Sequence, residues 1–336
     1  YIGSKSNINY LATTLDNVIY LDKGYHEGKS DILFNKIRKN KGKIISLDEE
    51  GAVDYSDGST LLNVRYPKVL KSNVDNVFLW GVHQFNLLGN NDHLHPSTFV
   101  TGHPRFELLK PRYHEYYKES IDEIKKKHKN FILFNTNTAF SNNKDGDMRY
   151  VLASYGQRFK NIREIIDFDK EKFDSIIHLI KSLSKKTNYE IVVRPHPEEN
   201  LKTYYNLFRG NSKVRVIRKG SVIPWILASN IMIHSDCTTG IESLFLNKPS
   251  ISFLPDKESS LVADLPLKAS ISFTNDYDLI NFLNLDIEAK ALEYSKINSS
   301  FLEEYFSFES NAIRLVSSKL EELYPPISVK NLSFQN

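Results

Sequence analysis

The residues best suited to chemistry stand directly after short apolar segments. Arg194, Pro195, His196 and Pro197 end one such segment, YEIVV. The two prolines fix the backbone around the imidazole, and an imidazole can give or take a proton near neutral pH. His196 is therefore a candidate acid–base group facing a phosphate, with Arg194 and Pro197 as neighbouring ligands. A lone histidine at a strand end is more often structural, and that alternative stays open.

A run of hydroxyl-bearing and small residues, SDCTTG, follows the segment IMIH and precedes a helical pattern. Hydroxyl groups and free backbone N–H groups at a helix N-terminus bind anions. Ser235, Thr238, Thr239 and Gly240 are therefore candidate phosphate ligands, although a simple helix cap is the commoner role for a threonine here. Cys237 has no acid–base partner nearby in the sequence and is interpreted as a small filler.

A third polar run, Asn135-Thr136-Asn137, follows the segment NFILF. It opens the second series of strands, at the position where phosphate often binds in folds of alternating strands and helices. Asn135 and Asn137 are candidate ligands for this reason. A capped turn is the alternative interpretation.

An acidic run, DEEG at 48–51, follows the segment KIISL. Three adjacent acids repel one another, which lowers stability unless a positive group or a reaction uses them. Gly51 allows the chain to turn sharply with positive φ. Glu50 and Glu49 are therefore candidate catalytic carboxylates, and a solvated turn is the alternative.

These polar runs end apolar segments that alternate with amphipathic ones, and this alternation predicts α/β architecture. The unbroken Val, Ile and Phe character of the segments is typical of parallel strands that are buried on both faces. Helical patterns lie between them, for example at 173–185 and 222–229. The predicted strands cover 18–22, 43–48, 76–81, 98–102, 131–135, 189–194, 214–218, 231–235, 250–254 and 270–273.

Pro111 and the charged stretch after it divide the strands into two series. We therefore predict two doubly wound, Rossmann-like domains, 1–112 on the acceptor side and 113–298 on the nucleotide side. Ligands of such domains bind at the carboxyl ends of the strands. A long final helix at 299–323, which in related folds crosses back to the first domain, and a tail at 324–336 complete the chain.

Composition excludes some classes of protein. The 44 Lys and Arg residues nearly balance 41 Asp and Glu residues, whereas a nucleic-acid-binding protein usually has a basic excess on one face. A single cysteine excludes an internal disulfide and fits a reducing compartment. No stretch of about 18 apolar residues is present to span a membrane, and no signal peptide is found. We expect a cytoplasmic protein that binds no nucleic acid.

Two basic runs, 36–43 (KIRKNKGK) and 125–129 (KKKHK), interrupt this balance. Solvated helix ends are the ordinary explanation for such runs. Contact with anionic lipid headgroups is the functional one, since each basic residue near a membrane surface adds roughly 1 kcal/mol. Peripheral contact with the inner face of the cytoplasmic membrane is compatible with these runs.

Taken together, the motifs resemble known families. The acidic pair before Gly, the His-Pro pair and the Ser/Thr-rich turn are similar to the D/E-D/E-G, HP and S/T motifs of bacterial sialyltransferases. Capsule and O-antigen Kdo transferases have related architecture. More closely, TGHPRFELL (101–109), FNTNTAF (134–140), RPHPEE (194–199) and SDCTTGIESLFLNKPSISF (235–253) resemble the bacterial surface carbohydrate biosynthesis family. The likeness covers most of residues 44–255.

The resemblance implies a GT-B fold with an interdomain cleft. It also implies a glycosyltransferase that moves an acidic ulosonic sugar (Kdo, sialic, legionaminic or pseudaminic type) from a CMP donor. The implied acceptor is a glycan or lipid-linked glycan. Glu50, with Glu49 as its rival, corresponds to the catalytic acid, and His196, Thr238 and Thr239 correspond to groups on the CMP phosphate. No metal or other cofactor is implied, since a histidine and a helix N-terminus can neutralise a monophosphate leaving group. The likeness to capsule-type enzymes favours retention of configuration slightly.

Three other interpretations stay open. A polyol-phosphate transferase using CDP-glycerol or CDP-ribitol, as in teichoic-acid synthesis, has similar TG-PR, HP and Ser/Thr-turn segments. The DEEG run and the lack of an obvious His-rich entry motif in the first domain separate this chain from it. A UDP-GlcNAc 2-epimerase-like enzyme shares the fold but does not need a proline-framed histidine. A non-catalytic scaffold needs no phosphate-suited strand ends, of which this chain has three.

Overall fold

The computed structural model describes residues 4–51, 54–55, 57–156, 159, 161–285, 290, 293–294 and 300–325. Contacts group the described residues into two units. Unit 1 draws on Tyr1–Gly51, Leu61–Leu108 and Ser300–Asn336, and unit 2 draws on Ala52–Thr60 and Leu109–Ser299. The main part of unit 2 thus begins at Leu109, near the predicted start at 113. A short segment before Leu61 also belongs to unit 2, which the sequence did not indicate.

Unit 1 is built on a parallel sheet with the strand order β1-β2-β3-β4. The strands are β1 (Ile19–Asp22), β2 (Lys43–Ser46), β3 (Asn76–Leu79) and β4 (Thr98–Val100). The helices are α1 (Lys5–Thr14), α2 (Lys29–Lys39), α3 (Leu70–Asn73), α4 (Val82–Asn90) and α5 (Pro104–Glu107), with a π-helical turn at Leu61–Arg65. The described strands follow chain order without a reversal.

Both faces of the sheet in unit 1 are nevertheless covered. Successive residues of a strand point to opposite faces, so Ile44 and Ile45 of β2 enter different cores. Ile44 packs in the cluster that includes Phe34 of α2. Ile45 packs with Phe78 and with Val316, which lies near the end of the chain. This two-sided burial explains why β2 is apolar without alternation.

Unit 2 is built on a parallel sheet with the order β10-β9-β8-β5-β6-β7. The strands are β5 (Phe131–Asn135), β6 (Glu190–Arg194), β7 (Val214–Val216), β8 (Ile231–His234), β9 (Ser250–Phe253) and β10 (Ile271–Phe273). The strand order reverses between β5 and β8. In doubly wound sheets ligands bind outside the carboxyl ends of the strands at this reversal, so the fold itself indicates where a site should lie.

Helices surround this second sheet. They are a 3₁₀-helix at Pro111–Tyr117, α6 (Lys118–Lys127), α7 (Met148–Tyr155), α8 (Ile162–Lys186), α9 (Leu201–Leu207), α10 (Ile223–Ala228), α11 (Thr239–Phe245), α12 (Asp264–Lys268) and α13 (Asp276–Leu283). The longest, α8, buries Ile176, Ile180 and Leu183 against the sheet residues Ile132 and Phe134. Their spacing of three and four residues is that of an apolar stripe on a helix. No helix among the described residues is both long and apolar enough to cross a bilayer.

All ten predicted strands are present, each within two residues of its predicted bounds. The end of the chain differs from the prediction of one continuous helix. It forms α14 (Ser300–Phe306) and α15 (Ala312–Leu323), because Ser307 has a left-handed φ of 50° and Asn311 caps a new helix by accepting the N–H of Arg314. Residue 299 and positions 326–336 of the predicted tail lie outside the described residues.

Candidate functional site

Three loops meet the carboxyl edge of the sheet in unit 2 at the reversal of strand order. They follow β5, β6 and β8. The predicted ligands of this half of the chain lie at the start of these loops, on them, or in the first turn of the helix α11 that follows the third loop: Asn135, Asn137, Arg194, His196, Pro197, Ser235, Thr238, Thr239 and Gly240. The structure therefore brings the three polar runs of unit 2 to one edge of one sheet.

Glu199 joins the loop after β5 to the loop after β6. Its carboxylate is fully buried. It accepts hydrogen bonds from the Thr136 hydroxyl, the Thr138 N–H and hydroxyl, the Tyr204 hydroxyl and the backbone N–H of His196. Burial raises the pKa of Glu199, while the hydrogen bonds from Thr136 and Thr138 act against that rise. Five donors around one carboxylate match the ionised, acceptor-only form, and they fix the backbone of the His-Pro loop.

His196 is held by its backbone and exposes its ring. Its N–H donates to Glu199 at 3.0 Å, and its carbonyl accepts from Arg218 Nη1 at 3.2 Å. Its ring Nδ1 accepts the N–H of Glu198 at 3.2 Å, so the proton of the neutral ring resides on Nε2. Pro197 is also exposed. The imidazole therefore presents a donor to solvent from a fixed backbone, as the proline frame predicts.

Arg194 is occupied by protein contacts. Its Nη1 and Nη2 donate to the carbonyls of Lys219 at 3.1 Å and Gly220 at 2.8 Å, and its guanidinium stands 5.4 Å from the ring centroid of Trp225. Burial lowers the pKa of Arg194 to about 10, which still leaves it cationic at neutral pH. These contacts indicate that Arg194 positions the loop after β7 and does not present its guanidinium to a phosphate.

A buried charged group joins the loop after β8 to the helix beneath it. Lys172 of α8 places Nζ 3.1 Å from Asp236 Oδ1 and 3.3 Å from Asp169 Oδ1. Asn137 donates to the same Asp236 oxygen at 2.8 Å. Burial lowers the pKa of Lys172, but the two carboxylates outweigh it and raise the pKa above its ordinary value. Lys172 therefore stays charged, and Asn137 ties the loops after β5 and β8 together.

Several polar atoms on these loops are buried without a hydrogen-bond partner among the described residues. They are both amide atoms of Asn135, Oδ1 of Asn137 and Oγ of Ser235. Leaving a buried polar group unpaired costs about 1–3 kcal/mol, and native proteins tolerate such groups mainly where function or an ordered water requires them. The reversal point thus combines rigid loops with polar groups that the protein itself does not satisfy.

The Ser/Thr turn packs more closely than its sequence indicates. Thr238 precedes α11 without a side-chain capping bond, so its hydroxyl does not serve as the simple cap. A Cβ on Gly240 would stand 2.4 Å from His234 Nε2, so glycine is required by contact with a buried ring. Burial raises the pKa of the Cys237 thiol, which agrees with a filler and not with a nucleophile.

The acidic run lies at the carboxyl edge of the sheet in unit 1. Asp48 is buried with its Oδ1 2.5 Å from Arg65 Nη2. Glu49 pairs with Lys23 at 2.9 Å, whereas Glu50 is exposed and makes no ion pair within the described residues. The repulsion expected from the sequence is therefore relieved by Arg65 and Lys23. Of the two candidate carboxylates, Glu50 is the one left open to a substrate.

The sequence motifs do not reveal the charged residues beneath the loops. Glu199 and Asp236 lie inside the RPHPEE and SDCTTG motifs, in which nothing about their position indicates a role. Asp169 and Lys172 had a detectable signal, because they fall on the apolar stripe of α8 between Ile166 and Ile176. Charged residues within an apolar stripe indicate a buried pair.

Comparisons with known proteins give similarity in structure alone. No protein-family model matches the chain, and no curated protein does so significantly. The wall teichoic acid polymerase TagF soaked with CDPG matches with a TM-score of 0.54 at 14% identity, over 91% of this chain and 73% of that one. The UDP-GlcNAc 2-epimerase from Neisseria meningitidis bound to UDP-GlcNAc matches with a TM-score of 0.58 at 14% identity, over 94% and 81%.

A UDP-GlcNAc 2-epimerase from Methanocaldococcus jannaschii, in complex with UDP-GlcNAc and UDP, matches similarly. Its TM-score is 0.57 at 14% identity, over 94% of this chain and 78% of that one. Likeness at this level of identity carries the fold and no more. With its two parallel sheets and alternating helices, the chain has the α/β fold of the GT-B type.

Proposed function

We propose that this chain is an enzyme that transfers a polyol-phosphate unit from a CDP-linked donor onto a bacterial cell-surface polymer. The observation that supports this most is the reversal point of unit 2. Its loops are locked together, and Asn135, Asn137 and Ser235 keep polar atoms unpaired. Convergent polar groups on a rigid edge of this kind suit the phosphates of a nucleotide-linked donor. The TagF structure, which shares the fold, was soaked with CDPG.

The acidic run no longer argues against this function. In the sequence this run and the lack of an obvious His-rich entry motif in the first domain are the two features that separate this chain from polyol-phosphate transferases. In the structure Arg65 and Lys23 neutralise Asp48 and Glu49, so two of the three acids are explained without a reaction. Transfer from a CMP-ulosonic donor then depends on Glu50 alone.

His196 has a specific task in the proposed reaction. An acceptor hydroxyl attacks the distal phosphorus of the donor and loses its proton to solvent, while the bond from that phosphorus to the bridging oxygen breaks and CMP leaves with the electron pair of that bond. A hydrogen-bond donor aimed at the departing phosphate stabilises the charge that develops there. The exposed Nε2–H of His196, on its fixed backbone, is suited to this task.

A nucleotide screen followed by a transfer assay tests the proposal. Thermal unfolding with CDP, CMP, UDP and GDP should show the largest stabilisation with CDP, about 2.7 kcal/mol at 100 times the dissociation constant. CDP-glycerol or CDP-ribitol should then yield product by mass spectrometry. Conversion of UDP-GlcNAc to its epimer would assign the chain to the epimerases instead. Absence of stabilisation by every nucleotide would favour a scaffold.

Transfer of an ulosonic sugar from a CMP donor is the second candidate, and the exposed Glu50 supports it. A carboxylate can act there as a base, with inversion, or as a nucleophile, with retention. Glu50→Gln should keep nucleotide binding and lose transfer from CMP-sialic acid or CMP-Kdo. Glu49→Gln is the matched control, since Glu49 is engaged by Lys23. Full transfer by both variants would exclude a carboxylate mechanism at this run.

A further inference from the structure

The amino edge of the sheet in unit 2, at the other end of the strands from the candidate site, is lined by lysines. Five of the six strands follow a lysine within four residues: Lys129 before β5, Lys186 before β6, Lys213 before β7, Lys248 before β9 and Lys268 before β10. The helices α6 and α8 end at the same edge with Lys125, Lys126, Lys127 and Lys185. We call the set without Lys268, which pairs with Asp264, the amino-edge lysines.

The amino-edge lysines are not neutralised by the protein. None of them makes an ion pair within the described part of the chain. The five residues before each of the six strands of unit 2 contain no Asp or Glu. Glu190, the first residue of β6, is already held by His128 at 2.8 Å and Arg215 at 3.3 Å. Lysines from separate elements also approach one another. Burial, with repulsion from Lys125, lowers the pKa of Lys248.

Helix dipoles explain only part of this pattern. A lysine in the last turn of a helix is stabilised by the dipole, which accounts for those at the ends of α6 and α8. It does not account for Lys129, Lys213 and Lys248, which lie in loops, or for the missing acids. The amino edge of unit 1 shows the contrast, because Asp75 stands before β3 and pairs with Lys43 and Arg38.

We propose that the amino-edge lysines dock unit 2 on an anionic lipid surface. Six strands spaced about 4.8 Å apart place the lysines along an edge about 24 Å wide, a broad front and not a groove. The side chains are flexible point charges, without the planar fork of arginine that reads individual phosphates. Lys125, Lys126, Lys129, Lys185, Lys186 and Lys213 are exposed. Such a surface fits the diffuse negative potential of a membrane better than a single polyanionic chain.

Vesicle flotation of the full chain tests this proposal. The protein should float with vesicles of phosphatidylcholine and phosphatidylglycerol, and not with vesicles of phosphatidylcholine alone. The triple variant Lys126→Gln, Lys129→Gln, Lys186→Gln should bind the anionic vesicles on the order of 100-fold more weakly, at roughly fivefold for each lysine. Raised salt should weaken binding of the wild-type chain in the same direction.

The matched control is Lys170→Gln, Lys202→Gln, Lys257→Gln. These exposed lysines of unit 2 lie away from the amino edge and remove the same charge. The control should bind anionic vesicles like the wild-type chain, and both variants should keep the wild-type thermal transition. Equal losses in the two variants, or wild-type binding that ignores phosphatidylglycerol, would overturn the proposal. So would capture by soluble polyphosphate without any vesicle binding. None of these outcomes bears on the proposed transfer reaction.

Discussion

Ser235 carries a buried hydroxyl that has no partner in the described part of the chain, and its removal should affect stability and binding in opposite ways. Ser235→Ala deletes a polar group that the folded protein does not satisfy, so the free energy of unfolding should stay equal or rise. If the hydroxyl meets the donor, CDP affinity should fall about tenfold, the scale of one hydrogen bond. Urea unfolding and calorimetry measure the two effects.

Ser252→Ala is the contrasting control for Ser235. The Ser252 hydroxyl donates to the carbonyl of Ser235 at 2.5 Å, so its loss leaves a buried carbonyl unpaired. This variant should be destabilised by about 1–3 kcal/mol. A loss of stability in Ser235→Ala equal to that in Ser252→Ala would show that the Ser235 hydroxyl is satisfied after all.

His103 should make unit 1 sensitive to acid. The ring is buried beside Trp80. Burial, with the charges of Arg105 and Lys23, lowers its pKa to about 4, against about 6.5 in the unfolded chain. Between these values the unfolded chain binds a proton that the folded chain does not. The stability present above pH 6.5 is therefore lost as pH falls toward 4.

The measurement compares His103→Asn with the wild-type residue, both in a Trp225→Phe background, so that Trp80 alone reports unfolding. Asn can keep the capping acceptor that His103 offers to the N–H of Arg105. On going from about pH 7.5 to pH 5, His103→Asn should lose about 2 kcal/mol less than its parent. The comparison uses the difference between the two proteins because Asp48 also titrates in this range. Burial raises the pKa of Asp48 to about 6, which stabilises both proteins as pH falls and therefore cancels in the difference. Equal losses would remove His103 as the cause.

At the scale of elements, the Glu199 carboxylate should be what holds the loops after β5 and β6 in a fixed position relative to each other. Glu199→Gln keeps the size and shape of the side chain, but it replaces one acceptor oxygen by an NH₂ group that faces other hydrogen-bond donors. Unit 2 should lose about 1–3 kcal/mol, and CDP affinity should fall because the backbone of His196 is no longer fixed. Urea unfolding followed by Trp225 fluorescence in a Trp80→Phe background, with calorimetry, checks both. Glu198→Gln is the control, as Glu198 is a partly exposed neighbour. Wild-type affinity in Glu199→Gln would separate the network from binding.

The helix α14 should be essential to unit 1. Phe306 stacks on Trp80 with ring centroids 5.8 Å apart and meets Phe106 edge to face at 5.2 Å. Phe306→Ala should cost about 3–5 kcal/mol, the range for a buried aromatic side chain. Unfolding followed by Trp80 fluorescence in the Trp225→Phe background measures this loss. Leu315→Ala, at a 40% exposed position of α15, should stay within about 0.5 kcal/mol. Similar values for the two variants would show that α14 does not stabilise this core.

The strands were predictable because two-sided burial leaves a local trace. The segment Phe131–Asn135 is apolar for almost its whole length, and the strand predicted there has the same first and last residues as the observed one. The break between α14 and α15 was not predictable from the sequence. It depends on the left-handed φ of Ser307, and a serine in the sequence does not indicate that conformation. The polar loops were placed correctly at strand ends, since that placement follows from chain order. The sequence does not show which loops contact each other, because the residues that join them, such as Asn137 and Asp236, are 99 residues apart.

At the scale of the whole molecule, chain order and spatial order disagree. Segment 52–60 groups with unit 2, whereas α14 and α15 group with unit 1. Pro111 and the charged stretch after it indicate a single boundary between the two series of strands, and only the resemblance to related folds predicts that the final helix returns to the first domain. Contacts between distant segments decide the true membership, and no local pattern encodes them.

Because unit 1 includes segments from both sides of unit 2 in the sequence, its fold cannot be completed during synthesis until unit 2 has been made. Residues 1–51 of unit 1 precede the main part of unit 2, yet the helix residue Val316 that covers Ile45 and Phe78 follows it. At about 5–20 residues per second, the interval between residues 108 and 300 lasts roughly 10–40 seconds. Throughout that interval one face of the first sheet lacks its cover, and exposed apolar surface of this kind promotes aggregation. The sheet of unit 1 is thus synthesised before the main part of unit 2, and a chaperone would need to shield it until α15 has emerged.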